Sequence, residues 1–374
     1  MIKFSKALEL KKLVTFIPNK KEPIHNWYHF KEGFSKEFVE LVLKKFDLKK
    51  NSIVLEPFCG SGTTVLTCKQ GGYRSVGFDV SPFFVFVSKV KTEDYNMDKL
   101  EKTIKQTADW RFEKPKKIPK ERFITKVFPR YSLEKIIFYK NKILEIQDEK
   151  IRNFLLLALI DSSMKSSWAI KDGSLVKVDK RGRAPLKKLF KYKMKKMLRD
   201  LKKSDIKPVN TRVEIGDARD LQLEDETIQC VITSPPYLNQ IKYTKIYAIE
   251  TSLFFDFPKT KIKSFLGTRV EDRKVSHLGL DENLPPIAKS YFIDINQILK
   301  ELYRVCNNGA KLAIVIGGGC FPDRVVESDK ITAELAEKNG FEVDNIFIAR
   351  NSWCTRKRTI KVGKIRESVI VMQK

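Results

Sequence analysis

The feature that most restricts the fold is a series of short apolar segments, each of which ends in a polar turn. Seven such segments predict β-strands, and they lie at residues 51–56, 73–79, 211–215, 228–233, 311–316, 341–348 and 368–372. Helix-like stretches alternate with them, and each connecting helix must bury its apolar side against the sheet. The sequence therefore predicts an α/β fold with a doubly wound, seven-stranded sheet.

A long stretch between the second and third predicted strands interrupts this alternation. Residues 133–146, 151–164 and 186–201 show the apolar spacing of helices. Residues 101–206 hold 30 Lys plus Arg against 13 Asp plus Glu, so this stretch supplies +17 of the formal net charge of +27. We therefore divide the chain into a sheet domain, residues 1–92 and 207–374, and a mainly helical basic insert, residues 93–206.

Charge and cysteine usage restrict the partners and the cell compartment. A pI near 9.7 indicates an anionic polymer or, less often, an anionic membrane surface, although a lysine-rich composition is the alternative explanation. The apolar run at residues 154–160 is too short to span a bilayer, and the first residues lack a signal-peptide core. The six cysteines form no CxxC pair, and there are three histidines. We expect a cytoplasmic protein with reduced thiols, no metal and no membrane partner.

The segment EPFCGSGTT, which begins at Glu56, turns from the first predicted strand into a helix. Gly60 and Gly62 allow the backbone to bend sharply and allow a ligand to approach its N–H groups. The segment is neither the GxGxxG dinucleotide motif nor a lysine-containing phosphate loop. A second acid, Asp79, ends the next strand, and a third, Asp217, follows the strand after the insert. Three acids at three strand ends predict a ligand that carries adenosine, although each acid alone is also explained as a helix cap or a turn residue.

The segment VITSPPY runs from an apolar strand straight into two prolines and an aromatic ring. Proline cannot donate to a sheet, so the strand ends there, and the residue before each proline is held extended. Ser234, Pro235, Pro236 and Tyr237 are therefore presented stiffly at the end of the strand. The segment is either a simple turn or the rigid rim of a pocket.

Together, LEPFCGSGTT and TSPPY resemble the motifs of the S-adenosylmethionine-dependent DNA amino-methyltransferases, and more narrowly those of the N4-cytosine enzymes of restriction–modification systems. Phe58, Gly60 and Gly62 match the family's FxGxG motif, and residues 234–237 match its catalytic [S/N/D]-P-P-[Y/F] motif, whose Ser form is typical of N4-cytosine enzymes. Residues 23–35 resemble the N-terminal motif that closes the methionine end of the site.

This resemblance implies a Rossmann-like methyltransferase fold for the sheet domain. The implied cofactor-binding residues are Gly33, Ser35, Glu56, Phe58, Cys59, Gly60, Gly62, Thr63, Thr64, Asp79 and Asp217. The cofactor motif precedes the catalytic motif by about 170 residues, an order that resembles some N6-adenine enzymes and leaves the target base open.

The chemistry implied by the resemblance is methylation of an exocyclic amine, a poor nucleophile because its lone pair is delocalised into the ring. Ser234 and the Pro235 carbonyl are expected to accept the amino protons, while Pro236 keeps the turn rigid and Tyr237 stacks on a flipped base. Cysteine-based C5 methylation is excluded, because Cys230 lies in a strand and Cys59 in the cofactor loop. An RNA base N-methyltransferase and a non-catalytic nucleic-acid-binding module remain as alternatives.

The expected partner is double-stranded DNA, with a cognate restriction endonuclease as a separate chain. Residues of the basic helix near 186–203 are candidates for sequence-independent phosphate contacts, or else form a solvated face. Arginines in two basic loops are candidates for contacts with base edges. The residues selected are Lys187, Lys191 and Lys195 for phosphates, and Arg181, Arg183, Arg356 and Arg358 for bases. The insert is thus predicted to be the DNA-binding, target-recognition region.

Overall fold

The computed structural model describes residues 2–173, 175–239, 243–255, 266–267, 275–356 and 359–374, with the backbone alone described at positions 243 and 244.

The central feature of the described residues is an eight-stranded sheet with the strand order β1-β7-β8-β6-β5-β2-β3-β4. All neighbours run parallel except β8, which is antiparallel to both β7 and β6. The strands are β1 (Phe4–Lys6), β2 (Ile53–Glu56), β3 (Arg74–Asp79), β4 (Thr211–Ile215), β5 (Ile228–Thr233), β6 (Cys306–Gly317), β7 (Glu342–Arg356) and β8 (Ile360–Gln373). Two short hairpins lie outside this sheet, one from Ala169–Asp172 and Leu175–Val178, the other from Gly319–Cys320 and Val325–Val326.

Each of the seven predicted strands is present, so the doubly wound α/β prediction is confirmed, but the strand count is corrected to eight. The additional strand β1 has three residues and pairs with β7, with Phe4 opposite Ile346. A three-residue strand is too short to show a period of two. The helix that precedes β6 ends at Val305, and β6 begins directly at Cys306, so Gly309 lies inside the strand with a φ of 81°.

Twelve α-helices occur in the described residues and pack around the sheet. They are α1 (Lys36–Lys45), α2 (Thr63–Gly71), α3 (Pro82–Thr92), α4 (Met97–Gln106), α5 (Arg122–Thr125), α6 (Arg130–Leu144), α7 (Glu149–Ser166), α8 (Leu186–Lys203), α9 (Tyr243–Ile246), α10 (Ala248–Phe254), α11 (Pro286–Val305) and α12 (Ser328–Lys338). Residues of α1 and α2 pack in the core on one face of the sheet, and residues of α11 and α12 pack on the other. The strands β2 and β5 and the second half of β6, residues 312–316, are largely apolar because both of their faces are covered.

The insert is built from α4 to α8, and its helices share a core with the N-terminal segment and α3. Trp27 illustrates this junction: its ring is 5.4 Å from that of Phe154 on α7, and its Nε1 donates to Asp200 on α8 at 3.0 Å. The amphipathic character expected of α8 is observed, with Phe190 and Met194 among its buried residues. The region predicted to be an insert therefore packs against the N-terminal segment and α3 through a shared apolar core.

The chain order places a crevice at the carboxyl ends of β2 and β5. From β2 the chain builds β3 and β4 on one side of the sheet, and it later returns to place β5 on the other side of β2. Ligands of open α/β sheets bind at such a reversal of strand order, outside the carboxyl ends of the strands. The two sequence motifs follow β2 and β5, so both lie at this crevice.

Cys320 and Cys354 form a disulfide, which corrects the expectation that all six thiols are reduced; the other four cysteines are free and buried. Within the described part of the chain, no helix is both long and apolar enough to cross a bilayer. The same residues contain no group of three or more His, Cys, Asp or Glu side chains arranged to hold a metal ion.

Candidate active site

A cleft that encloses about 890 Å³, partly open to solvent, lies at the carboxyl ends of β2 to β5; we call it the first cavity. It brings together most of the residues that the sequence predicts for the cofactor and two of the four predicted catalytic residues. Those that line it are Gly33, Glu56, Phe58, Cys59, Gly60, Thr63, Asp79, Asp217, Ser234 and Pro236. The loops after β2 and β5 therefore border a common space.

Three residues predicted to bind the cofactor do not line this cavity and instead support its walls. Gly62 is the N-cap residue directly before α2, with a φ of 81°, and a Cβ there would lie 2.8 Å from the Ser88 hydroxyl. The Thr64 hydroxyl donates to Glu56 Oε2 at 2.5 Å. The Ser35 hydroxyl caps α1 by accepting from the Phe38 N–H at 3.2 Å. Their places in the structure explain them as turn, positioning and capping residues.

Asp79 ties the glycine-rich loop to the end of β3. Its carboxylate accepts hydrogen bonds from the Gly60 N–H at 2.9 Å and from the Ser81 N–H at 2.8 Å. Burial raises the pKa of Asp79 to about 6, although the two N–H groups favour the ionised form. Gly60 has a φ of 47°, and a Cβ there would lie 2.9 Å from the Phe30 ring. A side chain here would have to displace Phe30 and adopt a strained left-handed backbone conformation, so this position favours glycine.

Glu56 is a buried carboxyl group at the end of β2 that faces the first cavity. Thr64 donates to its Oε2, and the Thr233 hydroxyl and the Phe58 N–H lie close enough to the carboxyl group to favour its ionised form, while Oε1 makes no hydrogen bond of standard geometry with the described residues. Burial raises the pKa of Glu56 to about 8, so the side chain is mostly neutral at pH 7. An unpaired carboxyl oxygen in this position is suited to a cationic ligand, whose charge would favour the carboxylate.

Asp217 lines the same cavity after β4, and its carboxylate is held by Arg219. Arg219 donates to both carboxylate oxygens, from Nε at 2.9 Å and from Nη2 at 2.6 Å, and its Nη1 donates to Asp294 at 3.0 Å. These bonds fix the position of Asp217 and occupy part of its acceptor capacity.

The SPPY segment separates two cavities, because an extended chain turns alternate residues to opposite sides. Ser234 and Pro236 line the first cavity, whereas Pro235 and Tyr237 line a second cavity of about 690 Å³. Glu32 and Gly33 line both cavities, so the two adjoin there. The SPPY segment thus borders both spaces, which adjoin beside it at Glu32 and Gly33.

A chain of hydrogen bonds runs from the SPPY segment into the sheet. The Ser234 hydroxyl donates to the Tyr237 hydroxyl at 3.5 Å, and Tyr237 donates to Glu367 Oε1 at 2.7 Å. Arg350 donates from Nε to the other oxygen of Glu367. Because Tyr291 also donates to the Pro236 carbonyl at 2.9 Å, both ends of the segment are held in place.

Four residues at this site are absent from the predicted cofactor-binding and catalytic residues. Glu32 accepts from the Tyr247 hydroxyl at 2.8 Å, and burial raises its pKa. The buried Lys91 donates to the Ser61 carbonyl at 2.9 Å and so helps to hold the glycine-rich loop in place. An acid inside an otherwise aromatic N-terminal motif is a signal for Glu32. Arg350 and Glu367 carry no local signal, because they are 17 positions apart and meet only through strand pairing.

None of the described basic residues selected for DNA contact lines either of these cavities. Lys187, Lys191 and Lys195 are exposed and follow one another at four-residue spacing on α8. Arg181 is exposed and pairs with Asp179, Arg183 donates to the Ser167 carbonyl at 3.1 Å, and the exposed Arg356 ends β7. Arg358 lies outside the described residues.

Comparisons with known proteins agree with these motifs. A family model described as DNA methylase matches residues 12–90. The chain is 25% identical to the type II methyltransferase M.BsoBI of Geobacillus stearothermophilus, covering 97% of this chain and 88% of that protein. It is 24% identical to the type II methyltransferase M.AvaI of Nostoc sp., covering 92% and 87% respectively.

A solved S-adenosylmethionine-dependent methyltransferase from Methanosarcina mazei is 11% identical, with coverage of 89% of this chain and 96% of that one, but its TM-score of 0.35 is too low to add to the fold described above. The family model and the two relatives confirm the resemblance to the DNA amino-methyltransferases.

Proposed function

We propose that this chain, a relative of the type II DNA methyltransferases named above, transfers a methyl group from S-adenosylmethionine to an exocyclic amino group of DNA, at N4 of cytosine. The observation that carries this proposal is the arrangement of the SPPY segment. Its serine faces the cavity of the glycine-rich loop, while Pro235 and Tyr237 face an adjoining second cavity. Two adjoining spaces suit a reaction in which a methyl group passes between two bound molecules.

The first cavity fits the cofactor by the chemistry of its side chains. S-adenosylmethionine supplies a methyl group bonded to a positively charged sulfur, and it also carries an ammonium group and an adenosine. Glu56 offers an unpaired carboxyl oxygen for a cation, and Asp79 offers carboxylate lone pairs for ribose hydroxyls. Asp217, fixed by Arg219, stands at the adjacent strand end as an acceptor for the adenine amino group.

Ser234 is the residue proposed to accept a hydrogen bond from the amino group that is methylated. The Tyr237 hydroxyl donates a hydrogen bond to Glu367, and the Tyr237 oxygen therefore accepts a hydrogen bond from the Ser234 hydroxyl. The lone pairs of the Ser234 oxygen are then left to accept a hydrogen bond from the amino group, with the Pro235 carbonyl as the second acceptor. These acceptors localise the nitrogen lone pair and orient it, which is positioning and electrostatic catalysis without a strong base.

The second cavity is the proposed place of the target base. An amino group inside a duplex is out of reach, so the base must leave the stack, at a cost of about a few kcal/mol. Tyr237 lines this cavity and is the proposed stacking partner, in a contact worth about 1–3 kcal/mol. Glu367 holds the tyrosine by its hydroxyl, which fixes the ring before the base arrives.

Binding to double-stranded DNA is assigned to the basic insert. Lys187, Lys191 and Lys195 form a stripe of like charge on α8, which is unfavourable for an isolated helix and suited to a phosphate backbone. Arg181, Arg183 and Arg356 are the proposed contacts with base edges. In the cell, such methylation would protect DNA from a cognate restriction endonuclease, and the expected location is the cytoplasm.

The proposal is tested by incubating the protein with methyl-labelled S-adenosylmethionine and either unmethylated genomic DNA or total RNA. Mass analysis of the digested nucleosides identifies the product, and the expected one is N4-methylcytosine from DNA. N6-methyladenine from DNA would correct the base while retaining DNA amino-methylation. Label in RNA alone, or in neither polymer, would contradict the proposal.

A further inference from the structure

Arg350 and Glu367 lie directly opposite each other on β7 and β8, and both line the second cavity. Glu367 is largely buried, and its two oxygens accept from the Tyr237 hydroxyl and from Arg350 Nε. The Arg350 side chain is 43% exposed, and its two Nη groups have no acceptor among the described residues. Four N–H donors of a fixed, planar guanidinium group are therefore available at the wall of this cavity.

The two candidate bases differ in the acceptors that they offer to such a group. Beside its amino group, cytosine carries two adjacent acceptors, the ring nitrogen N3 and the carbonyl oxygen O2. Adenine offers a single acceptor on either side of its amino group, N1 or N7, and each of these is followed by a C–H. A guanidinium group can donate two parallel hydrogen bonds to the cytosine edge, whereas on either adenine edge one donor would lose its water without gaining a partner.

We propose that Arg350 recognises the N3–O2 edge of an extruded cytosine and that Glu367 is the positioning residue that holds it there. The inference rests on the proposed function, since it assigns the substrate base of the same site. Glu367 links this recognition to Ser234 through Tyr237, so the residue that contacts the amino group and the residue that recognises the base edge belong to one hydrogen-bonded chain.

A cross-strand ion pair that only stabilises the sheet is the alternative account of these residues. Arg366 offers a matched control, because it lies next to Glu367 on β8 and pairs with Asp329 and Glu327, yet it lines neither cavity. If Arg350 were merely structural, replacing either arginine by methionine would lower thermal stability and leave base recognition unchanged.

The experiment compares Arg350→Met, Arg350→Lys and Glu367→Gln with Arg366→Met and the parent protein. S-adenosylmethionine affinity by calorimetry and the melting temperature are measured first. Methyl transfer to unmethylated DNA is then followed, with nucleoside analysis of the product. Once the methylated position has been mapped, the target cytosine in an oligonucleotide duplex is replaced by 3-deazacytosine, which lacks the N3 acceptor.

We expect Arg350→Met to lower kcat/KM for DNA by about 10- to 100-fold, with cofactor affinity retained. Arg350→Lys is expected to have an intermediate activity, because lysine offers a point charge in place of a planar group of donors. Glu367→Gln should lower activity because Arg350 and Tyr237 would no longer be held by a carboxylate. For the parent protein, kcat/KM should be at least about tenfold lower for the 3-deazacytosine duplex than for the cytosine duplex. For Arg350→Met, kcat/KM for the 3-deazacytosine duplex should be no lower than for the cytosine duplex.

Three results would overturn the inference. The first is an Arg350→Met variant with the activity of Arg366→Met, and the second is an equal loss on 3-deazacytosine in the parent and Arg350→Met proteins. The third is N6-methyladenine as the DNA product, which would leave DNA amino-methylation standing. Absence of any transfer to DNA by the parent protein would instead remove the proposed function itself, and this inference with it.

Discussion

Replacing Glu56 by glutamine should change cofactor binding and stability in opposite directions. Glu56 is buried, one of its oxygens has no partner, and its pKa is raised to about 8. In the ligand-free protein it therefore keeps its proton below pH 8. A cationic ligand binds the carboxylate more favourably than the neutral acid, so binding releases the proton, and affinity should rise with pH.

The coupling between ligand binding and proton release from Glu56 sets how strongly the affinity depends on pH. Below pH 8, the affinity for S-adenosylmethionine should rise by up to about tenfold per pH unit, and it should level off above pH 8. Asp79, with a pKa of about 6, adds its own dependence only near and below that value. Titration of the ligand itself occurs equally in both proteins, so the difference between parent and Glu56→Gln isolates Glu56.

The stability of the ligand-free protein should fall as the pH rises, whereas the affinity for the cofactor should rise. An unfolded glutamate titrates near 4.5, so between that pH and about 8 the folded protein binds more protons than the unfolded one. The free energy of unfolding of the ligand-free protein should fall by about 1.4 kcal/mol for each pH unit in this window. Glu56→Gln lacks this term and should become more stable relative to the parent as the pH rises.

The assay is calorimetric titration with S-adenosylmethionine at pH 6, 7 and 8, in two buffers of different ionisation enthalpy, so that released protons are counted. Urea unfolding at the same pH values gives the stability. The same pH slope of affinity in both proteins, or a parent protein with no proton release at pH 7, would refute the assignment of Glu56 as the partner of the cationic ligand.

Two further predictions concern the amine and the DNA. Ser234→Ala removes the proposed acceptor of the amino protons and should lower turnover by about 100-fold or more while calorimetry shows unchanged cofactor affinity; retained turnover would remove Ser234 from the mechanism. The triple replacement of Lys187, Lys191 and Lys195 by alanine should reduce the slope of log affinity for DNA against log salt by about 2 to 3; an unchanged slope would place the phosphate contacts elsewhere.

Much of the fold could be predicted because its signals are local. The strand β5 is a largely apolar run that ends just before Ser234 and two prolines, and α8 repeats apolar residues at helical spacing. The strand β1 gave no such signal, because three residues gain their strand conformation only by pairing with β7 at the opposite end of the sequence. The disulfide was missed for the same reason, since Cys320 and Cys354 are 34 positions apart.

At the candidate site, too, the residues that could be predicted are those with a local sequence pattern. The motif residues Gly60 and Ser234 are recognisable because loop geometry and strand ends leave a pattern in a few consecutive residues. Arg350 and Glu367 come together only in the antiparallel ladder of β7 and β8. The sequence could also select Asp217 as an acceptor but not show that Arg219 already holds it, because that bond depends on the turn in which both residues lie.

The most direct test of the account is a crystal structure of the protein with S-adenosylhomocysteine, the demethylated cofactor. The account predicts that the adenosine lies against Asp79 and that the sulfur faces Ser234, at the junction of the two cavities near Glu32. A ligand bound in any other cleft, or a sulfur separated from Ser234 by protein atoms, would contradict the claim that methyl donor and acceptor base meet across the SPPY segment.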